Sequence, residues 1–449
     1  MPDGPVVPVL VLVLVLVPVA PVALVVPVVP VLPVAPVVVP RSVRCEWRSL
    51  MRVPVADPLA LVRGAGCEPA VVDWCATGGE IAAGLPGLRS PDWPRRRRAA
   101  RELSDALATR FTLPGPVECE VSGHRVPTRA GEITVLRYRP PRVTGPRMAH
   151  LSIHGGGFVL GSVHEVVNAR LARSRAVSGG ADIFDVDYRL APEHPFPAAL
   201  EDCLDALTWL IESAPRFGIG PGRIGVGGVS AGGNLAGLVA AHARDRGIRL
   251  DHQVLEVPAA SLDFDRDDSF RAYGALGGLG GGVAELHAAY LGGVGVVGSE
   301  SGAGVAGVAG AAWAVGVAGS SRSAGAAKVA GAAGATGVAR TPGPAEWSEV
   351  WETPGSAVRW AAPADVPDLT GLPPALVITA ELDPLRDSGE SYAARLARAG
   401  VPVESWRAPG QLHGSGSLTQ TSTTARAWQD RVGAFLRGRA RAAAVSPPT

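Results

Sequence analysis

The sequence predicts an α/β fold around one core, and three observations carry that expectation. A short apolar run at 223–227 leads through the turn Gly228-Val229-Ser230-Ala231-Gly232-Gly233 into a helical stretch at 234–246. Strand-like runs at 148–153, 181–188, 374–382 and 402–408 are interleaved with helical patterning at 198–213 and 424–437. Finally, the 449 residues exceed the roughly 300 to 350 that one α/β domain with a cap uses, and the excess lies in two stretches of odd composition.

The central turn is the first chemical signal. A serine on a tight strand-to-helix turn needs very small neighbours, which Gly228 and Gly232 supply, and the helix N-terminus aims free N–H groups at whatever the hydroxyl attacks. Ser230 is therefore the candidate nucleophile.

Residues 1–50 form a Val/Pro-rich low-complexity tail. Within residues 1–40, prolines at 8, 18, 21, 27, 30, 33, 36 and 40 interrupt any helix, and the longest proline-free run there, 9–17, is too short to cross a bilayer. An extended apolar tail without firm membrane association is expected, and Met51 offers an alternative start that leaves every motif intact. The net charge of +1 and the lack of a basic face with interleaved aromatics argue against nucleic acid as a partner. The arginine run at 95–98 reads as a solvated stretch before a helix. Five scattered cysteines, Cys45, Cys67, Cys75, Cys119 and Cys203, have neither metal-ligand spacing nor a pairing pattern. No metal or organic cofactor is expected, and a reducing, cytoplasmic setting fits best.

Residues 51–113 read as cap helices, with Leu103, Ala106, Leu107 and Phe111 on one face of a helix at 95–111. Strands follow at 118–124 and 132–138, joined near Ala130-Gly131. The strand at 148–153 ends in His154-Gly155-Gly156-Gly157-Phe158. Three successive glycines let the backbone approach a ligand closely, so Gly155, Gly156 and Gly157, with Ala231 at the helix start, are the candidate oxyanion donors. The proline-rich connection at 187–199 is a rigid link, and His194 within it is read as structural.

Together, residues 154–158, 187–199 and 228–233 resemble the hormone-sensitive-lipase-like branch of the α/β-hydrolase family, over about 117–293 and 368–436. The resemblance implies a mostly parallel eight-stranded sheet flanked by helices with an N-terminal helical cap. It also implies hydrolysis of carboxylic esters, here small-molecule esters of short to medium acyl chain. A catalytic domain at 114–293 and 358–438 would then be interrupted by a Gly/Ala-rich disordered insertion at 294–357 and followed by a flexible tail at 439–449.

In that family an acid and then a histidine follow the serine. Of His242, His252, His287 and His413, only His413 follows the strand at 374–382, so it is the expected general base. Asp383 ends that strand at the rim where ligands of open α/β sheets bind, and is the preferred acid ahead of Asp387. The aromatics of the last helix, Trp428 among them, are read as core. Two departures from the family pattern stand out. Val229 occupies a position that is commonly aspartate, and Ser415, where an aromatic is common, is expected to loosen the histidine loop. The 153 positions between Ser230 and Asp383 are also unusually many, and the insertion accounts for them. The rival readings are a non-catalytic binding or receptor protein on this fold and an amidase on the same scaffold.

Overall fold

A computed structural model of the protein describes residues 58–141, 143, 146–263, 267–274, 276, 286, 288–292 and 360–445. The Val/Pro-rich tail, Met51, His287 and the insertion at 294–357 lie outside the described residues.

The chain first forms helices α1 (Pro58–Gly64), α2 (Pro69–Ala83) and α3 (Trp93–Phe111). Asp92 caps α3, its side chain accepting from the Arg95 N–H, and the arginine run therefore falls inside the first turns of the helix. Arg97 is not solvated as expected. Its guanidinium donates to the carbonyls of Val159 and Ala191, both at 2.7 Å, and grips Glu193.

Eight strands follow: β1 (Glu120–Thr128), β2 (Gly131–Arg139), β3 (Arg147–Ile153), β4 (Asp182–Asp187), β5 (Ile219–Val229), β6 (Gln253–Glu256), β7 (Ala375–Ala380) and β8 (Val403–Ala408). They form one sheet in the order β1-β2-β4-β3-β5-β6-β7-β8. The β1–β2 and β2–β4 pairs are antiparallel and the remaining pairs parallel. Inner strands such as Ala375–Ala380 are buried at every position, as parallel strands covered on both faces must be. The edge strand β8 instead exposes Glu404 and Arg407, charges that discourage pairing with another chain.

Helices α5 (Ala198–Phe217) and α6 (Ala231–Asp245) cover one face, packing Leu200, Leu204, Leu207, Leu235 and Leu238 against Leu151 and Val226. The other face is covered by α4 (Val166–Gly179) and α9 (Thr423–Val445), whose Trp428, Val432 and Phe435 meet Val254, Leu376 and Ile378. Short α7 (Asp268–Tyr273) follows β6 and α8 (Arg386–Arg398) follows β7. The segment expected as a tail at 439–449 begins within α9. There α9 continues to Val445, because Arg439 pairs with Asp251 at 3.0 Å and the remaining residues are mostly alanine.

Candidate active site

The geometry at Ser230 follows from what surrounds it. Ser230 begins α6 with φ 58° and ψ −118°, a left-handed conformation costly for a residue with a side chain. Neighbouring glycines allow it. A Cβ on Gly228 would lie 2.3 Å from the Gly232 carbonyl oxygen, and one on Gly232 would lie 2.0 Å from that of Ile153. The Ser230 N–H donates to the Glu256 carbonyl at 2.9 Å, which locks the turn to β6.

His413 lies in the loop after β8, and its Nε2 is 2.8 Å from Ser230 Oγ. Its Nδ1 is 2.8 Å from Asp383 Oδ2. Asp383 is fully buried and follows β7, and its Oδ1 accepts from the Leu385 N–H at 2.8 Å. With a carboxylate on Nδ1, that nitrogen carries the proton and Nε2 is left to accept one from the serine. Asp387 is elsewhere, accepting from the Ser269 N–H at 2.7 Å and pairing with Arg386. His194 sits in its proline-rich link, His242 on α6, and His252 is buried against His150.

The glycine loop after β3 is held from behind. Gly156 and Gly157 have φ 132° and 59°, and a Cβ on Gly156 would lie 1.9 Å from the Leu160 oxygen. Tyr188 Oη donates to the His154 carbonyl at 2.9 Å, and His154 Nδ1 to the Gly155 carbonyl at 2.7 Å. Because N–H and C=O point oppositely across a trans peptide, fixing these two carbonyls also fixes the N–H directions of Gly155 and Gly156. Among the described residues, the N–H groups of Gly156, Gly157 and Ala231 have no protein acceptor. Burial holds the His154 imidazole below its ordinary range against the opposing pull of Asp187, and the ring stacks on Tyr188 at 4.3 Å.

Ser230, His413, Gly155 and Gly156 line one cavity of about 70 Å³. Its wall includes residues that the sequence reading did not single out, namely Glu165, Arg175 and Glu256, and also Trp428, which is core and cavity wall at once. Scattered polar residues on separate elements leave no local motif, so no signal in the sequence marks them.

The loop carrying His413 is tied down rather than loosened at Ser415. That side chain is fully buried and its hydroxyl donates to Gln411 Oε1 at 2.7 Å. Gln411 Nε2 in turn donates to Glu68 at 2.7 Å, and Ser422 Oγ to the same carboxylate at 2.6 Å. Helices α1 to α3 meet this loop through one apolar cluster that contains Trp74, Leu103, Leu107, Leu160, Leu382 and Leu412.

Comparison with known proteins gives a consistent picture. A family profile described as alpha/beta hydrolase fold matches residues 150–279 and 341–416. Carboxylesterase NlhH of Mycobacterium tuberculosis is 35% identical over 286 residues, which cover 63% of this chain and 71% of that one. The arylesterase of Saccharolobus solfataricus is 29% identical over 308 residues, covering 68% and 79%. Among solved structures, an esterase of Pyrobaculum calidifontis superposes with a TM-score of 0.58 at 31% identity, over 78% of this chain and 94% of that one. No helix among the described residues is long and apolar enough to cross a membrane.

Proposed function

Since the chain belongs to the α/β-hydrolase family and is a carboxylic ester hydrolase, we propose that Ser230 is its nucleophile, His413 its general base and Asp383 the acid that orients the base. The observation carrying this reading is the unbroken hydrogen-bond chain from Asp383 Oδ2 through both imidazole nitrogens to Ser230 Oγ, at 2.8 Å on each side.

Ser230 Oγ attacks the ester carbonyl carbon as His413 Nε2 takes its proton. Asp383 balances the imidazolium that forms. The carbonyl oxygen becomes an oxyanion received by the N–H groups of Gly156, Gly157 and Ala231, with Gly155 as a further donor. Each such donor is worth about 100- to 1,000-fold in rate. His413 then gives its proton to the leaving alkoxide, and the alcohol departs. Water attacks the acyl-serine with His413 again as base, and the acid leaves with Ser230 restored.

Residues 58–111 act as the cap in this reading, supported by their apolar contact with the loops that bear Asp383 and His413. A cavity of about 70 Å³ at the nucleophile favours small-molecule esters of short to medium acyl chain. A fluorophosphonate probe tests the assignment. The protein is expected to be labelled, and Ser230→Ala to abolish both labelling and hydrolysis of nitrophenyl butanoate; labelling that persists in the variant would remove Ser230 from its role.

A further inference from the structure

The cavity at Ser230 also borders a buried ion pair that ester cleavage does not use. Arg175 of α4 and Glu256 of β6 are 7% and 2% exposed, and Arg175 Nη2 donates to Glu256 Oε2 at 2.8 Å. Trp428 Nε1 donates to the same oxygen at 2.7 Å. Gln429 Oε1 accepts from Arg175 Nε and Nη2 at 3.0 and 2.9 Å, while Gln429 Nε2 donates to the Gly416 carbonyl at 3.0 Å. Three elements thus hold the pair in one orientation.

Among the described residues, Arg175 Nη1 and Glu256 Oε1 have no hydrogen-bond partner in the protein. Their side chains line the same cavity as Ser230 and the glycine loop. Position 229 belongs to this arrangement. Val229 and Glu256 are directly opposed across the β5–β6 ladder, and both line the cavity. An aspartate at 229 would set a second carboxylate opposite Glu256, whereas valine adds no charge to the ion pair.

The Nη1 amino group of Arg175 and the Oε1 oxygen of Glu256 leave donors and an acceptor on the two members of one ion pair. A plain alkyl chain entering the cavity leaves both without a partner. A carboxylate meets a guanidinium already neutralised and a carboxylate next to it. A hydroxyl accepts from one and donates to the other, and so reproduces both bonds that water would make there. The acyl group, not the alcohol, is the part that belongs in this space. It stays bonded to Ser230 after the alcohol has left, and the alcohol needs a way out to solvent.

We propose that the substrates of this enzyme are short esters whose acyl chain carries a hydroxyl group, received between Arg175 Nη1 and Glu256 Oε1. The inference rests on Ser230 as the nucleophile, and the bond broken is the same ester bond.

The test compares hydrolysis by the full chain of ethyl 3-hydroxybutanoate and ethyl 6-hydroxyhexanoate, a shorter and a longer hydroxyacyl chain, with their methyl-for-hydroxyl isosteres. At least one hydroxy ester is expected to exceed its isostere tenfold or more in kcat/KM, because a site built to bond a hydroxyl discriminates against its absence. Its methoxy ether, which accepts but cannot donate, should lose most of that advantage. In Arg175→Met/Glu256→Leu, which removes both charges together and so leaves none uncompensated, the preference should fall to within about twofold. Isosteres cleaved as fast as both hydroxy esters would overturn the proposal while leaving the nucleophile assignment intact. A preference for ethyl succinate, or for a hydroxyl on the alcohol side only, overturns it equally. Loss of hydrolysis of every ester, plain ones included, would instead remove the assignment beneath it. The comparison of esters on the unaltered chain decides the matter even where the double variant does not fold.

Discussion

A single methyl group at Gly232 would disturb the turn that holds Ser230, the proposed nucleophile, since the Cβ would have to occupy space 2.0 Å from the Ile153 oxygen. Gly232→Ala is therefore expected to cost about 1–3 kcal/mol by overpacking and to lower kcat at least tenfold, read by denaturant unfolding and by nitrophenyl butanoate turnover. Unchanged values would mean that the turn relaxes freely. Asp383→Asn tests the tautomer. An amide on Nδ1 does not fix the proton there, so kcat should fall by about 10⁴-fold with the fold preserved by circular dichroism. Tyr188→Phe removes only the bond to the His154 carbonyl. Leaving a buried carbonyl unpaired costs about 1–3 kcal/mol, and a loop whose N–H groups are less well aimed should show a lower kcat with KM little changed. A matched rise in KM would point to ground-state binding instead.

Between elements, the contact that carries most consequence is Glu68, in the link between α1 and α2. Its carboxylate receives Gln411 Nε2 and Ser422 Oγ, and its N–H donates to the Gly410 carbonyl at 3.0 Å. The N-terminal helices and the loop that carries His413 are thereby tied together. Glu68→Ala is expected to deprive Gln411 Nε2 of its carboxylate partner and to lower kcat about tenfold, because a base displaced by a fraction of an ångström transfers protons poorly. Activity equal to that of the parent would show that Leu412 and its apolar neighbours hold the loop alone. Strand β5 shows the same interdependence. A Cβ on Gly225 would lie 2.2 Å from the His252 ring, and one on Gly227 2.6 Å from that of His150. The two glycines there make room for a stacked, hydrogen-bonded histidine pair, His150 Nδ1 to His252 Nε2 at 2.9 Å, continued to Asp251 and Arg439.

For the whole molecule, that pair has a consequence in stability. Burial, with lesser contributions from His252 and Arg175, holds His150 well below the ordinary range of an imidazole. Below about pH 6.5 the unfolded chain binds a proton that the folded chain excludes, so stability falls as pH drops through this range and is unaffected above it. Asp185 acts in the opposite sense. Burial pushes its carboxyl up to about 7, so the folded chain keeps a proton that the unfolded chain releases above about pH 4, and stability from this group declines from pH 4 to 7. Denaturant curves of His150→Asn and Asp185→Asn, each subtracted from the parent at about pH 7.5 and 5.5, should differ with opposite signs. Differences of the same sign would contradict the burial of one group or the other.

The sequence by itself determined the strand-turn-helix at Ser230, the glycine loop after β3, the strand that ends at Asp383 and the single histidine after it. Each is legible because its physical requirement is local: a small neighbour, a flexible backbone, a strand end, a place in chain order. Tertiary structure alone decided what holds those pieces at bonding distance. Glu68 meets Gln411 and Arg97 meets the carbonyl of Val159 across long stretches of chain, and Arg175, Glu256 and Gln429 converge from three elements. None of these residues carries a mark in its own neighbourhood, because a buried polar group is specified by the partner that satisfies it, and that partner is set by packing rather than by adjacent sequence.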